Sequence, residues 1–355
     1  MDTCADLFKN ASFGEDSEFV FCDFTQRVIV AAILAAWSLI AIIDNSLVII
    51  AVMLTKRLRT ATNVFIVNLS VADLLTGFSF AWQVLAVVSQ DGWPLPNWLC
   101  SVVSVLGTTG IGCSIHTLGF IALNRLLLVT KPLSFYQTVY TCKKMAAMIT
   151  LTWLVPLLTA TLPGIFGLVQ LGYDYKYKFC TFNDRLKMAV WYDYIIVLVN
   201  YPVPLLVVIV SYVKIYKHIK HHSTKRAQFI NAAWKLPTGT RQQNQLQIDI
   251  TKNTFYVVCA FVVCLTPYAI CVLVDALNPA VPYTATILIL NSWINPIIYA
   301  TKHPHFKEIF KSICFCRCSE IPEPTINFLR VIRAKSSADF SHDGYEMGKV
   351  STAPV

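Results

Sequence analysis

The sequence carries little charge for its length. Asp, Glu, Lys and Arg together make up 14% of its 355 residues, and hydrophobic residues make up 55%. A soluble domain of average composition has roughly 25% charged residues. The deficit therefore excludes an ordinary soluble protein and predicts one whose surface largely faces lipid.

Motifs of the common enzyme classes are also missing. The sequence contains no His-rich metal cluster, no nucleophile elbow and no glycine-rich phosphate loop. We therefore expect neither an enzyme nor a bound organic cofactor. Transporters often show inverted repeats with paired broken helices, and no internal repeat is evident here. A polytopic membrane transporter is nevertheless the alternative to weigh against a receptor.

The first residues lack the basic segment and apolar run of a cleavable signal peptide. Residues 1–26 are polar and acidic, so we expect an extracellular tail, with the first apolar helix acting as the insertion signal. Asn10 opens an Asn-Ala-Ser sequon in this tail. Glycosylation at Asn10 is therefore an expectation.

Long apolar stretches dominate the rest of the chain. A hydrocarbon core about 30 Å thick needs about 20 apolar residues in a helix rising 1.5 Å per residue. Seven stretches satisfy this requirement: 27–54, 61–89, 97–130, 142–168, 187–219, 246–274 and 281–301. They predict an all-α membrane protein, a seven-transmembrane helix bundle over 27–301. A short amphipathic eighth helix is expected within 302–318, and a disordered cytoplasmic tail over 319–355.

The net charge of +9 would suggest a nucleic-acid partner in a soluble protein. With the N-terminus outside, however, only six of the 29 basic residues lie outside: Lys9, Arg27, Lys176, Lys178, Arg185 and Lys187. This positive-inside bias predicts a multi-pass plasma-membrane protein with an extracellular N-terminus and a cytoplasmic C-terminus. The basic residues are then expected to meet anionic membrane lipids, not nucleic acid.

Asp73 lies in the middle of the second apolar stretch, where an ionisable group is costly and suggests function. Neutral polar residues lie at comparable depth in other stretches: Asn45, Ser114, Asn291, Ser292 and Asn295. A carboxylate surrounded by neutral oxygens suits a small hard cation. We therefore expect a sodium site at Asp73, Ser114, Asn291 and Asn295, with sodium as an allosteric modulator. The alternative is a hydrogen-bond network that only holds the bundle together.

The seventh stretch contains Asn295-Pro296 followed by Tyr299. A proline inside a helix removes a backbone hydrogen bond and kinks the helix. We expect Asn295 to satisfy the backbone group that Pro296 frees. Tyr299 then places a polar tip near the cytoplasmic end of the helix, shortly before Phe306 in the amphipathic stretch.

The twelve cysteines divide by predicted depth. Four lie outside, an even set in an oxidising compartment: Cys4, Cys22, Cys100 and Cys180. Three cluster just after the last apolar stretch and are candidates for palmitoylation: Cys314, Cys316 and Cys318.

Characteristic residues occur in order along all seven stretches: Asn45, Asp73, Cys100, Arg125, Trp153, Pro204, Tyr212, Phe261, Pro267, Asn295, Pro296 and Tyr299. With these marks the chain resembles the rhodopsin-like family of G-protein-coupled receptors along nearly its whole length. The resemblance implies an extracellular ligand and a heterotrimeric G-protein as partners, together with arrestin and receptor kinases.

The resemblance also implies residue roles. It pairs Cys100 with Cys180, and less firmly Cys4 with Cys22. It makes Arg125 the residue that turns toward the G-protein, within a coupling and activation set of Asn124, Arg125, Tyr212, Asn295, Pro296 and Tyr299. It implies a packing switch beneath the ligand pocket at Ile115, Pro204, Phe261, Leu265 and Pro267. The switch residues could equally be plain core.

The sequence departs from the family pattern at several marks. The usual acid before Arg125 is Asn124, and the facing position of the sixth helix, often acidic, is Gln247. Loss of the acid removes one restraint on Arg125, so we expect a weakly held inactive state. Leu265 replaces the usual tryptophan, which puts an aromatic toggle in doubt.

Two positions exclude known ligand classes by the same resemblance. Ile289 replaces the retinal-binding lysine, and Gly107 replaces the ammonium-binding aspartate of amine receptors. The predicted pocket consists of Gly107, Thr108, Ile111, Ile196, Asn200, Tyr268, Val272, Ala285 and Ile289. Aromatic and charged residues alternate over residues 173–180, a period typical of a strand, and we expect a hairpin lid there. Such a lid fits either a peptide or an apolar small molecule.

Overall fold

The computed structural model describes residues 20–183, 189–230, 238–302, 304–315, 317 and 321–325. Within these ranges no side chain is described for 183, 189–190, 193, 221–230, 238–254, 257, 275, 302 and 304.

Eleven α-helices occur in the described residues: α1 (Phe24–Leu54), α2 (Ala61–Val88), α3 (Asn97–Thr130), α4 (Leu133–Val139), α5 (Cys142–Ile165), α6 (Ala189–Asn200), α7 (Pro202–Ile230), α8 (Thr238–Leu273), α9 (Val281–Leu288), α10 (Leu290–Lys302) and α11 (Pro304–Cys314). Short 3-10 helices, Lys56–Leu58 and Asp275–Ala280, join α1 to α2 and α8 to α9. The seven membrane spans are α1, α2, α3, α5, α6 with α7, α8, and α9 with α10. The predicted seven-span bundle is confirmed, and α11 is the predicted eighth helix.

Side-chain caps set several helix starts. The Asp23 carboxylate accepts hydrogen bonds from the backbone N–H groups of Thr25 and Gln26 at 2.9 and 3.2 Å. It caps the positive end of α1, so this helix begins three residues before the predicted start. Thr60 caps α2 in the same way, accepting from the Asn63 N–H at 3.3 Å.

The fifth and seventh spans are broken, where the sequence predicted continuous helices. In the fifth, Tyr201 separates α6 from α7, because Pro202 and Pro204 supply no backbone N–H. In the seventh, the break falls at Ile289, and the Ser292 N–H donates to the Ile289 carbonyl in a tighter turn.

By length and composition, five described helices could cross a membrane: α1, α2, α3, α5 and the segment Tyr194–Lys220. The apolar part of the sixth span, Val258–Leu273, is shorter. Within the described residues, the sixth span is therefore too short to meet this criterion, and the seventh is divided into two short helices.

Helix α3 forms the centre of the bundle and contacts α2, α5, α7 and α8. One buried core joins residues from most spans, among them Leu34, Leu118, Phe261, Ile289 and Phe306. Large apolar side chains such as Leu39, Phe78, Leu206 and Val263 point outward. These outward side chains suit a lipid-facing surface.

A two-stranded antiparallel hairpin covers one end of the bundle. Strand β1 (Gln170–Asp174) pairs with β2 (Phe179–Asn183), and Tyr173 lies opposite Cys180. The predicted hairpin is present, but residues 175–178 of the alternating segment form its turn, and the strands extend beyond that segment on both sides. The end of the bundle beneath it is called the hairpin end, and the opposite one, beside α11, the α11 end.

Candidate functional site

A cavity of about 260 Å³ opens beneath the hairpin, between the spans. Eight of the nine predicted pocket residues line it: Gly107, Thr108, Ile111, Ile196, Asn200, Tyr268, Val272 and Ala285. The hairpin closes its top with Phe179, Cys180 and Phe182.

Ile289 is the exception among the predicted pocket residues. It is fully buried in the core and does not line the cavity, whereas its neighbour Leu288 does. The break between α9 and α10 falls at Ile289 itself, so the side-chain direction that the resemblance implies for a regular helix is lost at this residue.

Two contacts hold the lid on the cavity. Cys180 forms a disulfide with Cys100 at the start of α3. Gln83 of α2 holds the same residue through its backbone, because its amide donates to the Cys180 carbonyl and accepts from the Cys180 N–H, both at 2.7 Å. Our sequence reasoning missed Gln83. A glutamine within an apolar span was the available signal.

The turn of the hairpin carries buried charge. Lys178 is buried, and its pKa is lowered by loss of water and by Arg27, while the Asp174 carboxylate acts in the opposite direction. Asp174 also accepts a hydrogen bond from the Lys176 N–H at 2.8 Å. The Asp174 charge on the cavity wall is therefore already compensated within the lid.

The polar groups near the cavity floor are engaged with one another. The Asn200 amide donates to the Thr159 hydroxyl at 3.2 Å and to the Ile196 carbonyl at 3.0 Å. The Asn200 oxygen lies 3.3 Å from Nε2 of His116. Asn200 thus links spans three, four and five, a role that sequence reasoning did not assign.

The predicted packing switch lies directly below. Ile115, Phe261 and Leu265 belong to one buried core, and all three are nearly inaccessible. Pro204 is buried, whereas Pro267 within α8 is half-buried. Tyr201, absent from the predicted set, packs on Phe261 with ring centroids 5.9 Å apart and shares a 2.7 Å hydrogen bond with the Thr266 hydroxyl.

Deeper in the bundle, the predicted sodium residues meet around Asp73, which has no exposed surface. The Asn295 amide donates to Asp73 Oδ2 at 3.1 Å. The Asn291 amide donates to the Ser114 hydroxyl at 3.4 Å, and the hydroxyls of Ser114 and Ser292 face the carboxylate. The structure therefore brings all four predicted residues together.

Several oxygens of this cluster accept no hydrogen bond among the described residues: Asp73 Oδ1, Asn45 Oδ1, Asn291 Oδ1 and Asn295 Oδ1. A buried acceptor without a donor is costly. Carboxylate and amide oxygens are the ligands that hard cations prefer. The donor set therefore fits a sodium ion.

The backbone near Pro296 is satisfied differently from the expectation. Pro296 leaves the Ser292 carbonyl without its helical donor, and the Asn45 amide donates to it at 2.7 Å. Asn295 instead donates to the Asn291 carbonyl, at 2.9 Å, and to Asp73. The assignment of Asn295 to the freed backbone group was wrong, because that carbonyl faces α1.

Near the α11 end, Arg125 is 5% exposed, and its Nε has no acceptor among the described residues. Its neighbours are the aromatic residues Tyr136, Tyr212 and Tyr299. The ion pair of Arg57 with Glu308 lies elsewhere. No described carboxylate therefore holds Arg125, and the side chain of Gln247 lies outside the described residues.

Asn124 makes neutral contacts in place of a restraint on Arg125. Its oxygen accepts from the Thr62 hydroxyl at 2.7 Å, and its amide donates to the Tyr136 hydroxyl at 2.9 Å. It thereby joins α2, α3 and α4. Asn124, which stands in place of the usual acid, is thus part of a hydrogen-bond network.

The predicted modification sites fall mostly outside the described residues. Asn10, Cys316 and Cys318 lie there, whereas Cys314 is exposed at the end of α11. Cys22 is disulfide-bonded. Cys4 is not described, so the pairing of Cys4 with Cys22 stays a prediction.

Residues 44–299 match the family described as 7 transmembrane receptor (rhodopsin family). The chain belongs to this family. It is a G-protein-coupled receptor of the rhodopsin-like class, as its motifs indicated, and the transporter alternative is excluded.

Individual relatives agree with this assignment. A GQ-coupled rhodopsin of Mizuhopecten yessoensis is 28% identical over 317 residues, which cover 84% of this chain but only 62% of that protein. The histamine H2 receptor of Canis lupus familiaris is 29% identical over 325 residues, 86% of this chain and 85% of the receptor. The melatonin receptor type 1C of Gallus gallus is 28% identical over 297 residues, 80% of this chain and 81% of the receptor.

A solved structure supports the fold. The crystal structure of squid rhodopsin superposes with a TM-score of 0.72 and 20% identity, over 85% of this chain and 89% of that chain. At this identity the likeness concerns the fold alone.

Proposed function

We propose that this receptor binds a small extracellular ligand beneath the hairpin and drives nucleotide exchange on a heterotrimeric G-protein through Arg125. The observation that carries the proposal is the pairing of a lidded cavity at one end with a buried arginine, free of any described carboxylate, at the other. Ile115 and Leu265 line the cavity and belong to the core that continues to Tyr299, so ligand contact and coupling share one packed unit.

For the ligand we propose an apolar, uncharged small molecule over a peptide. Polar groups deep in the cavity are already engaged, since the Ser79 hydroxyl donates to the Val103 carbonyl at 2.8 Å and the Asn200 amide is fully bonded. Asp174 is compensated within the lid. A cationic group entering the cavity would therefore lose water without gaining a partner, because the basic residue on the wall, Lys176, repels it. Two relatives are named as histamine and melatonin receptors; the uncompensated aspartate that would attract a protonated amine is absent at Gly107.

The test of this function is a panel of chimeric G-proteins assayed in membranes, first without ligand and then with apolar and cationic compounds. Binding of the compounds is followed separately by thermal unfolding of the purified receptor. The proposal expects exchange on at least one chimera, raised by an apolar compound that also stabilises the receptor. Exchange raised only by cationic compounds would overturn the ligand assignment.

We also propose that sodium binds at Asp73 with Ser114, Asn291 and Asn295 and favours the resting state. The unpartnered oxygens around Asp73 support this assignment. A ligand shifts an equilibrium only through its differential affinity for the two states. Sodium should therefore lower basal nucleotide exchange.

The sodium proposal is tested by replacing sodium with a large organic cation at fixed ionic strength. Basal exchange of the parent should rise, and Asp73→Asn should remove the dependence. Asp44→Asn is the matched control, because Asp44 lies half-buried on α1, outside the cluster. If the basal nucleotide exchange of the parent receptor does not depend on sodium, the proposal is wrong and the cluster is a structural network.

For topology we propose that the hairpin end is extracellular and the α11 end cytoplasmic. The bias of basic residues supports this orientation. It places Asn10 where it can be glycosylated and Cys314, Cys316 and Cys318 where they can be palmitoylated. Arrestin and receptor kinases would then act at the same end as the G-protein. Protection of a C-terminal tag, but not an N-terminal one, from protease on intact cells tests the orientation.

A further inference from the structure

A described piece of the C-terminal tail, residues 321–325, lies against the loop between α1 and α2; it is called the tail strap. Pro324 of the strap forms an isolated antiparallel bridge with Thr55. The Thr325 N–H donates to the Leu54 carbonyl at 2.9 Å. This carbonyl belongs to the last residue of α1 and has no helical partner, so the strap satisfies the helix terminus.

Further contacts fasten the strap at its centre and start. The Lys56 N–H donates to the Glu323 carbonyl at 3.0 Å. The hydroxyl of Thr55, a residue without exposed surface, donates to the Pro322 carbonyl at 2.5 Å. Ile321, at the start of the strap, is also completely buried. The contact therefore combines a backbone bridge, a side-chain hydrogen bond and an apolar anchor.

The sequence of the strap allows backbone pairing along one edge only. Pro322 and Pro324 carry no N–H and cannot donate to a second neighbouring strand. Backbone-to-backbone pairing is left to the Glu323 carbonyl, which bonds the loop, and the Thr325 N–H, which bonds the end of α1. Each such bond replaces one to water, so its net contribution is modest, and the strap can be released without unfolding the bundle.

The strap and α11 hold the same part of the bundle. Residues 315–320 connect Cys314, the end of α11, to the strap. Helix α11 also contacts α1, and its Glu308 pairs with Arg57 of the loop at 3.3 Å. Its Phe306 stacks on Tyr299, with ring centroids 5.8 Å apart. The strap and α11 thus both contact the loop between α1 and α2, and α11 also contacts Tyr299.

We propose that the tail strap is a releasable intramolecular restraint that holds α11 on Tyr299 and favours the resting receptor. Arg125 is buried in this arrangement and cannot reach a partner protein, so the arrangement with the bound strap is a resting one. A contact present in one state and absent in the other shifts the balance between them. The signalling consequence rests on the function proposed above, whereas binding of the strap to the loop does not.

Strap binding is tested by cross-linking full-length receptor in membranes. Thr55→Cys with Pro324→Cys should form a disulfide under mild oxidation, because bridged residues lie within disulfide reach. A protease site between α7 and α8 then separates the chain into two fragments. The Cys100–Cys180 bond lies within the first fragment. The parent receptor, cleaved in the same way, shows whether the Cys22 disulfide joins the fragments. Any joining above that of the parent then reports the engineered bond.

Two controls judge the cross-link. Pro324→Cys alone measures linking to native cysteines such as the exposed Cys142. Lys144→Cys with Pro324→Cys measures random collision with another exposed site, at the start of α5. A yield for the Thr55 pair well above both controls supports the strap, and an equal yield overturns it.

The regulatory role is tested on the same cross-linked receptor by nucleotide exchange before and after reduction. Locking the strap should lower basal exchange by at least about twofold. Thr55→Val combined with Ile321→Ser should raise it above the parent at equal surface expression. If the cross-link forms but neither the cross-link nor the Thr55→Val with Ile321→Ser variant changes basal nucleotide exchange, the strap does not restrain the receptor. Absence of exchange in every form, even with ligand, would overturn the proposed function, while the cross-link yield would still decide whether the strap binds.

Discussion

The hairpin end and the α11 end of the bundle are stabilised by different kinds of contact. At the hairpin end, a disulfide and a two-way hydrogen bond from Gln83 both hold Cys180 over the cavity. At the α11 end, Arg125 has no described carboxylate partner, and Asn124 makes only neutral hydrogen bonds. The end with the cavity is therefore preorganised, whereas the end with Arg125 is held by weaker contacts.

This difference suits a receptor that must recognise a ligand in a fixed cavity and then rearrange. A covalent lid keeps the cavity in one shape and reduces the entropy lost on binding. A weakly restrained coupling end needs little free energy to move. Changes at the hairpin end should therefore alter stability, and changes at the α11 end should alter the balance between states.

The largest effect is expected at the disulfide. Cys100→Ser and Cys180→Ser should each sharply reduce surface delivery, since loss of a native disulfide costs about 2–5 kcal/mol in small domains. The double variant should be no worse than either single one, because the partners act as a unit. Surface labelling against total protein measures this. Losses that add strictly would contradict a shared bond.

A smaller loss of stability is expected at Gln83. Gln83→Ala leaves the N–H and carbonyl of Cys180 without partners beneath the lid, at a cost of about 1–3 kcal/mol. Thermal unfolding of purified receptor without ligand should show a lower midpoint. Gln170→Ala, on an exposed residue of β1, is the matched control. Equal midpoints for the two variants would show that the disulfide alone holds the lid.

At the α11 end, Asn124→Asp should lower basal exchange with little change in stability. An aspartate can still accept from the Thr62 hydroxyl, and it can accept from the Tyr136 hydroxyl, to which the Asn124 amide donates. It also adds a carboxylate beside Arg125. A gain of about 1 kcal/mol for the resting state would change the population ratio about fivefold. Tyr136→Phe controls for loss of the tyrosine contact. Basal exchange unchanged by Asn124→Asp would leave Asn124 as a tolerated substitution without a role in restraint.

The smallest effect is expected at the Arg57–Glu308 pair. Both side chains are well exposed, at 39% and 54%, so water screens their attraction. Glu308→Gln should shift the unfolding free energy by less than about 1 kcal/mol and leave surface expression unchanged. A loss comparable to that of Gln83→Ala would mean that the α11 end is as firmly held as the hairpin end.

The sequence was most informative where periodicity and motifs act locally. Apolar length predicted the seven spans, and comparable depth in the membrane predicted that Asp73, Ser114, Asn291 and Asn295 lie close together, as the structure shows. The sequence was not informative where a helix break or a hydrogen-bond partner is set by contacts between residues that are distant along the chain. The turn at Ile289 moved that residue from the cavity to the core, and Asn45, not Asn295, reached the carbonyl freed by Pro296. The Gln83 contact and the tail strap join residues far apart in sequence, which no local pattern reports.

The most direct test measures nucleotide exchange on a purified heterotrimeric G-protein. The exchange is promoted by the parent receptor or by the Arg125→Ala variant at the same surface level. Arg59→Ala is the control, because Arg59 is an exposed arginine in the loop between α1 and α2. The account predicts that Arg125→Ala loses both basal and ligand-stimulated exchange, keeps ligand binding and surface delivery, and that Arg59→Ala behaves like the parent. Full exchange by Arg125→Ala would contradict the claim that this buried arginine couples the cavity to the G-protein.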